Sequence, residues 1–320
     1  MRRLLALILI SSLAFISCKN NSGRMGKNII IFHAGSLSVP FNQLADEYEK
    51  KHPGIKILLE PAGSLVCARK ITELKKPCDI IASADYKVIS QLIIPDYASW
   101  SIRFATNEIV IAFQEKSKYA SEIDSSNWMD ILLKKDVIYA RSDPDSDPCG
   151  YRSVFTFMLA GKYYNRPGLA EKLIAKDRNF IRPKEVDLVG LIESNAADYM
   201  FQYKSVAIQH NLKYIELPDE INLGNPAMND LYGSVSLDVT GSSPGTKINV
   251  KGENINYSLT VLKNAENRND AVDFVSFLLG TEGSAIFKRN GQEPLVPVIT
   301  ENADQIPESL FRYIRINKPE

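Results

Sequence analysis

The residues Ala-Gly-Ser-Leu occur twice, at 34–37 and at 62–65, and each copy follows a short apolar run. The first run, NIIIFHA at 28–34, has the length and β-branched content of a buried parallel strand. Behind its turn, SVPFNQLADEYEKK at 38–51 spaces Phe41, Leu44, Ala45 and Tyr48 on one helical face and stops at His52-Pro53-Gly54. The second copy repeats the plan with IKILLE at 55–60, the turn Ala62-Gly63-Ser64, and a helix from about Leu65 to Leu74 closed by Pro77. A third strand, CDIIAS at 78–83, leads into a helix near Lys87. Strands alternating with helices predict a parallel sheet covered on both faces. Such sheets bind ligands beyond the carboxyl ends of their strands, where helix N-termini converge.

Each Gly-Ser turn offers backbone N–H groups, a hydroxyl and the positive end of a helix dipole to that place. Two turns facing one crevice make an anion site, with Gly35, Ser36 and Ser64 as its donors. The alternative is that each serine only caps its own helix. Catalytic patterns are absent: neither turn has the spacing of a nucleophile elbow, a phosphate loop or a dinucleotide fingerprint. No base accompanies the serines, so the residues point to holding an anion, without enzymatic activity and without a cofactor.

A chain of 320 residues with 45% hydrophobic residues can bury one large core or two ordinary ones. Its 38 basic and 38 acidic residues cancel, which argues against nucleic acid or an anionic membrane surface as partner. The N-terminus reads as an export signal over residues 1–17, with Arg2-Arg3, an apolar stretch from Leu4 to Ile10, and Ser17 before Cys18. The small residue before Cys18 resembles a bacterial lipoprotein cleavage box. It makes Cys18 the candidate lipid attachment point and residues 18–27 a tether, ordinary secretion being the alternative. Cys67, Cys78 and Cys149 are too dispersed for a disulfide framework or a metal site and read as buried thiols. His33, His52 and His210 are likewise solitary.

Further along, FATNEIVIAF at 104–113 reads as strand that leaves the first domain, and DVIYA at 136–140 as another. RSDPDSDPCGYRS at 141–153 crowds Asp143, Asp145 and Asp147 before a helix expected near Ser153. These aspartates read either as a capped turn or as site carboxylates, and a calcium loop lacks its glycine and closing glutamate. Downstream, residues 196–204 read as helix, SVAIQ at 205–209 and KYIEL at 213–217 as strands, and Asp219 and Glu220 as loop.

HAGSLS, the second AGS leading into ARKITEL, FATNEIVIAF, DPCGYR, LPDEINLG and FKRNGQEPLVP together resemble the tungstate/molybdate-binding proteins of ABC uptake systems, in their archaeal-type branch. The resemblance runs from about residue 29 to 300. It implies an α/β, two-lobed periplasmic-binding-protein-like fold of type II, each lobe a mainly parallel sheet flanked by helices, with the ligand in the interlobe cleft. Residues 28–105 plus 265–320 would form the first lobe and 106–264 the second. Carried over residue by residue, Gly35, Ser36 and Ser64 would donate to the oxyanion from the first lobe. Asp147, Pro148 and the Cys149 backbone would face it from the second, with Tyr232 hydrogen-bonding an oxo group. The family's second carboxylate falls on Glu220, with Glu216 as the alternative. In this family two carboxylates bind the metal directly and make it six-coordinate.

The expected role is therefore an extracytoplasmic, monomeric, lipid-anchored receptor that passes oxyanion to a permease and its ATPase. Arg69, Lys70 and Arg152 lie near the turns but read as structural. Two rival readings stay open: a receptor for sulfate or phosphate, and an enzyme or sensory ectodomain on the same fold.

Overall fold

A computed structural model describes residues 27–241 and 245–314; the export signal and Cys18 lie outside the described residues. The chain begins with β1 (Lys27–Ala34), α1 (Ser38–Lys51), β2 (Ile55–Ala62), α2 (Ser64–Thr72), β3 (Ile80–Ser83), α3 (Tyr86–Leu92) and β4 (Ser101–Thr106). It crosses through Asn107-Glu108 into β5 (Ile109–Phe113), α4 (Trp128–Leu132), β6 (Tyr139–Ser142), α5 (Pro148–Tyr163), α6 (Leu169–Ala175), β7 (Ile181–Arg182) and α7 (Asp187–Glu193). Then follow β8 (Tyr199–Tyr203), α8 (Lys204–Gln209), β9 (Lys213–Glu216), α9 (Asp219–Asn222), α10 (Asn229–Tyr232) and the hairpin β10 (Ser236–Thr240) and β11 (Lys247–Lys251). The return is β12 (Asn256–Val261), followed by α11 (Arg268–Leu279), α12 (Thr281–Arg289) and β13 (Glu293–Glu301).

Two mixed sheets result. The first has the order β13-β4-β12-β3-β1-β2 and the second β7-β6-β8-β5-β9. Parallel pairing holds for β2-β1-β3 and for β7-β6-β8, while the strands that carry the chain across, β4, β5 and β12, pair antiparallel. The sheets are therefore less parallel than the sequence suggested, because β5 and β12 each enter from the opposite unit and run against the parallel strands they join. The return strand also lies earlier than expected. β12 sits between β3 and β4 in the first sheet, within the 106–264 stretch assigned above to the second lobe, so the second crossing precedes Asn256.

The spacing of α1 does what it predicts: Phe41, Leu44, Ala45 and Tyr48 are buried, Phe41 with its ring centroid 5.2 Å from that of His33 in β1 and Tyr48 edge-on to Phe274 of α11 at 5.2 Å. Each such fully buried side chain stabilises the fold by about 1.5–3 kcal/mol before entropic costs. Register then does the positioning. Ala34 pairs with Ala62 and His33 with Ala82, so the Gly35-Ser36 turn, the Gly63-Ser64 turn and the Ala84-Asp85 turn leave one edge of the sheet side by side.

Two local readings are corrected. Residues 199–203 form β8, and 205–209 belong to α8, the reverse of the expected helix and strand. Tyr199–Tyr203 is buried at all five positions between β5 and β6, a continuous run that suits a central strand. SVAIQ buries Ser205, Val206 and Ala207 while leaving Ile208 exposed. The helix expected near Ser153 begins at Pro148, because Asp147 accepts from the Cys149 N–H as its N-cap and proline is favoured in the first turn.

Candidate functional site

The two Gly-Ser turns of the first sheet are buried, and neither hydroxyl caps the helix that follows it. Ser64 Oγ instead accepts from the Ala84 N–H at 3.0 Å, tying the second turn to the third. Ser36 Oγ accepts from the Tyr257 hydroxyl at 2.9 Å, and its backbone carbonyl accepts from Gln292 Nε2 at 2.9 Å. The Ser36 N–H donates to a carboxylate that comes from the other sheet, Glu185.

Glu185 lies in the link between β7 and α7, fully buried. Its backbone is held from both ends: the N–H donates to Asp147 Oδ2 at 2.7 Å, and the carbonyl accepts from Gln202 Nε2 at 2.8 Å. Its second carboxylate oxygen, Oε2, is buried without a hydrogen-bond partner. Asp147, 1% exposed at the start of α5, adds a second carboxylate. Burial first, and then the charge of Glu185 beside it, push the Asp147 carboxyl well above the usual carboxylate range, against the two backbone N–H groups that favour its anion.

The units meet without room for a side chain on either turn. A Cβ on Gly35 would lie 2.9 Å from Glu185 Oε2, and one on Gly63 would overlap the Ser146 carbonyl oxygen. At these two positions glycine is required by close approach.

Behind the carboxylates, Arg152 bridges the units from α5. It donates to the Ala84 carbonyl at 2.7 Å and to the Tyr203 hydroxyl at 2.8 Å, and it pairs with Asp85 at 3.1 Å. Tyr151 adds a hydrogen bond to Asp85 at 2.7 Å. With Asp85 as its counter-charge, Arg152 is a buried structural cation. Its bond to Tyr203 leaves the Tyr203 proton available to another acceptor. Arg69 donates to the Asp145 carbonyl at 2.9 Å and Lys70 pairs with Glu60 at 3.2 Å, so these cations too have structural partners.

Gly35, Ser36, Ser64, Asp147, Pro148 and Cys149 thus come from the turns and helix start that line this closed region. The Cys149 N–H is bonded to Asp147, and its thiol is buried and pushed up by that burial and the neighbouring carboxylates. Glu220, Glu216 and Tyr232 lie elsewhere. Glu220 is in α9, where its charge acts on Tyr164 at the C-terminal end of α5. The carbonyl of the next residue, Ile221, accepts from Thr156 Oγ1 at 3.1 Å, and Thr156 stands nine residues along α5 from Asp147, roughly 14 Å at 1.5 Å per residue. Glu216 is exposed and paired with Lys204 at 2.6 Å. The Tyr232 hydroxyl donates to the Asp219 carbonyl and accepts from the Asn225 N–H. The carboxylate beside Asp147 is Glu185 and the tyrosine behind it Tyr203, neither of them singled out by the sequence. RPKEVDL carries no periodicity or motif that marks its glutamate, and Tyr203 was concealed by reading its strand as helix.

A family profile described as bacterial extracellular solute-binding protein matches residues 29–293. The molybdate/tungstate-binding protein WtpA of Pyrococcus abyssi is 46% identical over 327 residues, covering 94% of this chain and 93% of its own. WtpA of Thermococcus kodakarensis is 42% identical, covering 98% and 95%. Among solved structures, the Azotobacter vinelandii periplasmic molybdate-binding protein superposes with a TM-score of 0.61 at 18% identity over 82% of this chain and 98% of that one, a likeness of fold. The profile and these identities converge with the two-sheet architecture: the chain belongs to the bacterial extracellular solute-binding proteins, a family of binding proteins and not of enzymes.

Proposed function

We propose that this protein captures molybdate or tungstate outside the cytoplasm and presents it to an ABC-type permease and its ATPase. The observation that carries the reading is the pair Asp147 and Glu185, two buried carboxylates whose hydrogen-bond partners are backbone N–H groups rather than cationic side chains. The two relatives named molybdate/tungstate-binding protein support the choice of oxyanion.

A dianion such as sulfate entering this space meets two like charges at short range, a repulsion of several kcal/mol in a partly buried cleft. Molybdenum and tungsten can widen their coordination shell, so one oxygen from each of Asp147 and Glu185 would raise a four-oxygen anion to six-coordinate. The same carboxylates then attract one class of anion and reject the other. Ser36, Ser64 and the Gly35-Ser36 backbone would hold the oxo groups from the first unit, with the Tyr203 hydroxyl in the place the sequence reading gave to Tyr232.

Because ligand contacts would come from both units, binding stabilises the closed arrangement specifically, and closure signals occupancy to the permease. Cys18 would anchor the monomeric receptor to the membrane by lipid. Calorimetric titration of the purified chain with tungstate, molybdate, sulfate and phosphate in one buffer tests the reading. The expected result is tight one-to-one binding of the two metal oxyanions, lost in Glu185→Gln, with no heat from sulfate. Binding of sulfate or phosphate alone would discard the metal-ligand role of Asp147 and Glu185, and silence from all four would reopen the sensory and enzymatic alternatives.

A further inference from the structure

The amide of Asn107, in the link between β4 and β5, can be oriented from its partners. Its Oδ1 faces two backbone donors, the N–H groups of Glu108 at 3.0 Å and Ser205 at 3.4 Å. The opposite atom must therefore be the NH₂ group, and it donates to Ser205 Oγ at 2.8 Å and to the Tyr257 hydroxyl at 3.1 Å. A phenol oxygen that accepts from Asn107 directs its own proton elsewhere, and the Ser36 hydroxyl lies 2.9 Å away. Ser36 Oγ consequently accepts from Tyr257, and its own proton is left to point at a further acceptor. Asn107, Ser205, Tyr257 and Ser36 are all buried. Burial holds the Tyr257 phenol in its neutral, donating form.

We propose that Asn107 is a positioning residue which, through Tyr257, fixes the Ser36 hydroxyl as a donor aimed into the anion site. The chain of donors starts at the first crossing between the sheets, where Asn107 also binds the start of α8, and passes through β12, the return crossing. Both connections between the units therefore contribute to setting one hydroxyl proton. A hydroxyl already turned toward its acceptor loses little rotational freedom on binding, which is how preorganised donors raise affinity.

The proposal rests on the reading that an oxyanion occupies the space at Ser36, and a double-mutant cycle separates the two. Sodium tungstate is titrated into the full chain carrying Tyr257→Phe, Ser36→Ala or both. Tyr257→Phe is expected to weaken binding about tenfold in the native background and less than twofold once Ser36→Ala is present. Asn107→Asp, which keeps the side-chain volume but places an acceptor opposite the phenol, runs through the same cycle with the same expected pattern, and decides the matter if the phenylalanine variant is unstable. Equal losses in both backgrounds, as a merely structural role would give, overturn the relay and leave the site reading intact. A Ser36→Ala chain that binds tungstate as tightly as the native one overturns both.

Discussion

Two groups of acidic residues differ in what surrounds them. Around Lys204, at the start of α8, Glu108 and Glu216 lie at 2.8 and 2.6 Å, and in α9 Asp219 accepts from Asn225 at 2.8 Å. These groups are wet and have partners, the ordinary condition of surface carboxylates, whose ion pairs contribute about 0–1 kcal/mol each. Beside the start of α5, Asp147 and Glu185 are buried together, with Asp147 pushed toward its neutral form. Abundance of carboxylates is thus a poor guide to a binding site, whereas two of them buried together without a counter-cation are what the proposed binding role of Asp147 and Glu185 rests on.

The largest effect is expected at Glu185. Glu185→Gln should lower tungstate affinity on the order of a hundredfold or more, because a buried charged contact is lost; calorimetry returning native affinity would make the buried pair no more functional than the wet group. Gly63→Ala comes next. Its new Cβ meets the Ser146 carbonyl oxygen, and overpacking of about 1–3 kcal/mol should weaken tungstate binding roughly tenfold and abolish ligand-induced compaction in small-angle scattering. Unchanged compaction would mean that the turns need not come this close.

A smaller effect separates the two groups by pH. The raised Asp147 carboxyl binds its proton more tightly in the folded chain than in the unfolded one, whose group titrates near 3.8. Its stabilising contribution is therefore present below about pH 3.8 and is lost as pH rises through the elevated folded value. In the absence of ligand, the melting temperature of the native chain should fall relative to that of Asp147→Asn across this interval, and parallel curves would contradict the assigned direction. The smallest expected effect is at Glu220. Glu220→Gln should change tungstate affinity by less than twofold, and a loss matching that of Glu185→Gln would return the second carboxylate to α9.

The sequence made visible what depends on neighbours along the chain. Apolar runs followed by Gly-Ser turns gave β1, β2 and α1, and Asp147 stood out through the prolines and the cap around it. Glu185 was hidden because its position is made by contacts distant in sequence: Asp147 holds its N–H from 38 residues away, and Gln202 holds its carbonyl. The family resemblance implies two carboxylates without fixing where in this chain the second stands, and LPDEINLG offered more acidic residues to choose from. Tyr199–Tyr203 failed for a related reason, since a short aromatic run becomes a strand only when β5 and β6 close on both sides of it.

The position of β12 between β3 and β4 has a consequence for how the molecule is made. All strands of the second sheet lie within residues 109–216, so that sheet can be complete while the C-terminal third is still being synthesised. The first sheet begins at Lys27 but keeps an open gap until Asn256–Val261 arrives, and its outer strand waits for Glu293–Glu301. The N-terminal third of the chain, although first to emerge, is therefore last to finish folding, and until then the edges of β3 and β4 stand unpaired and open to association with other chains.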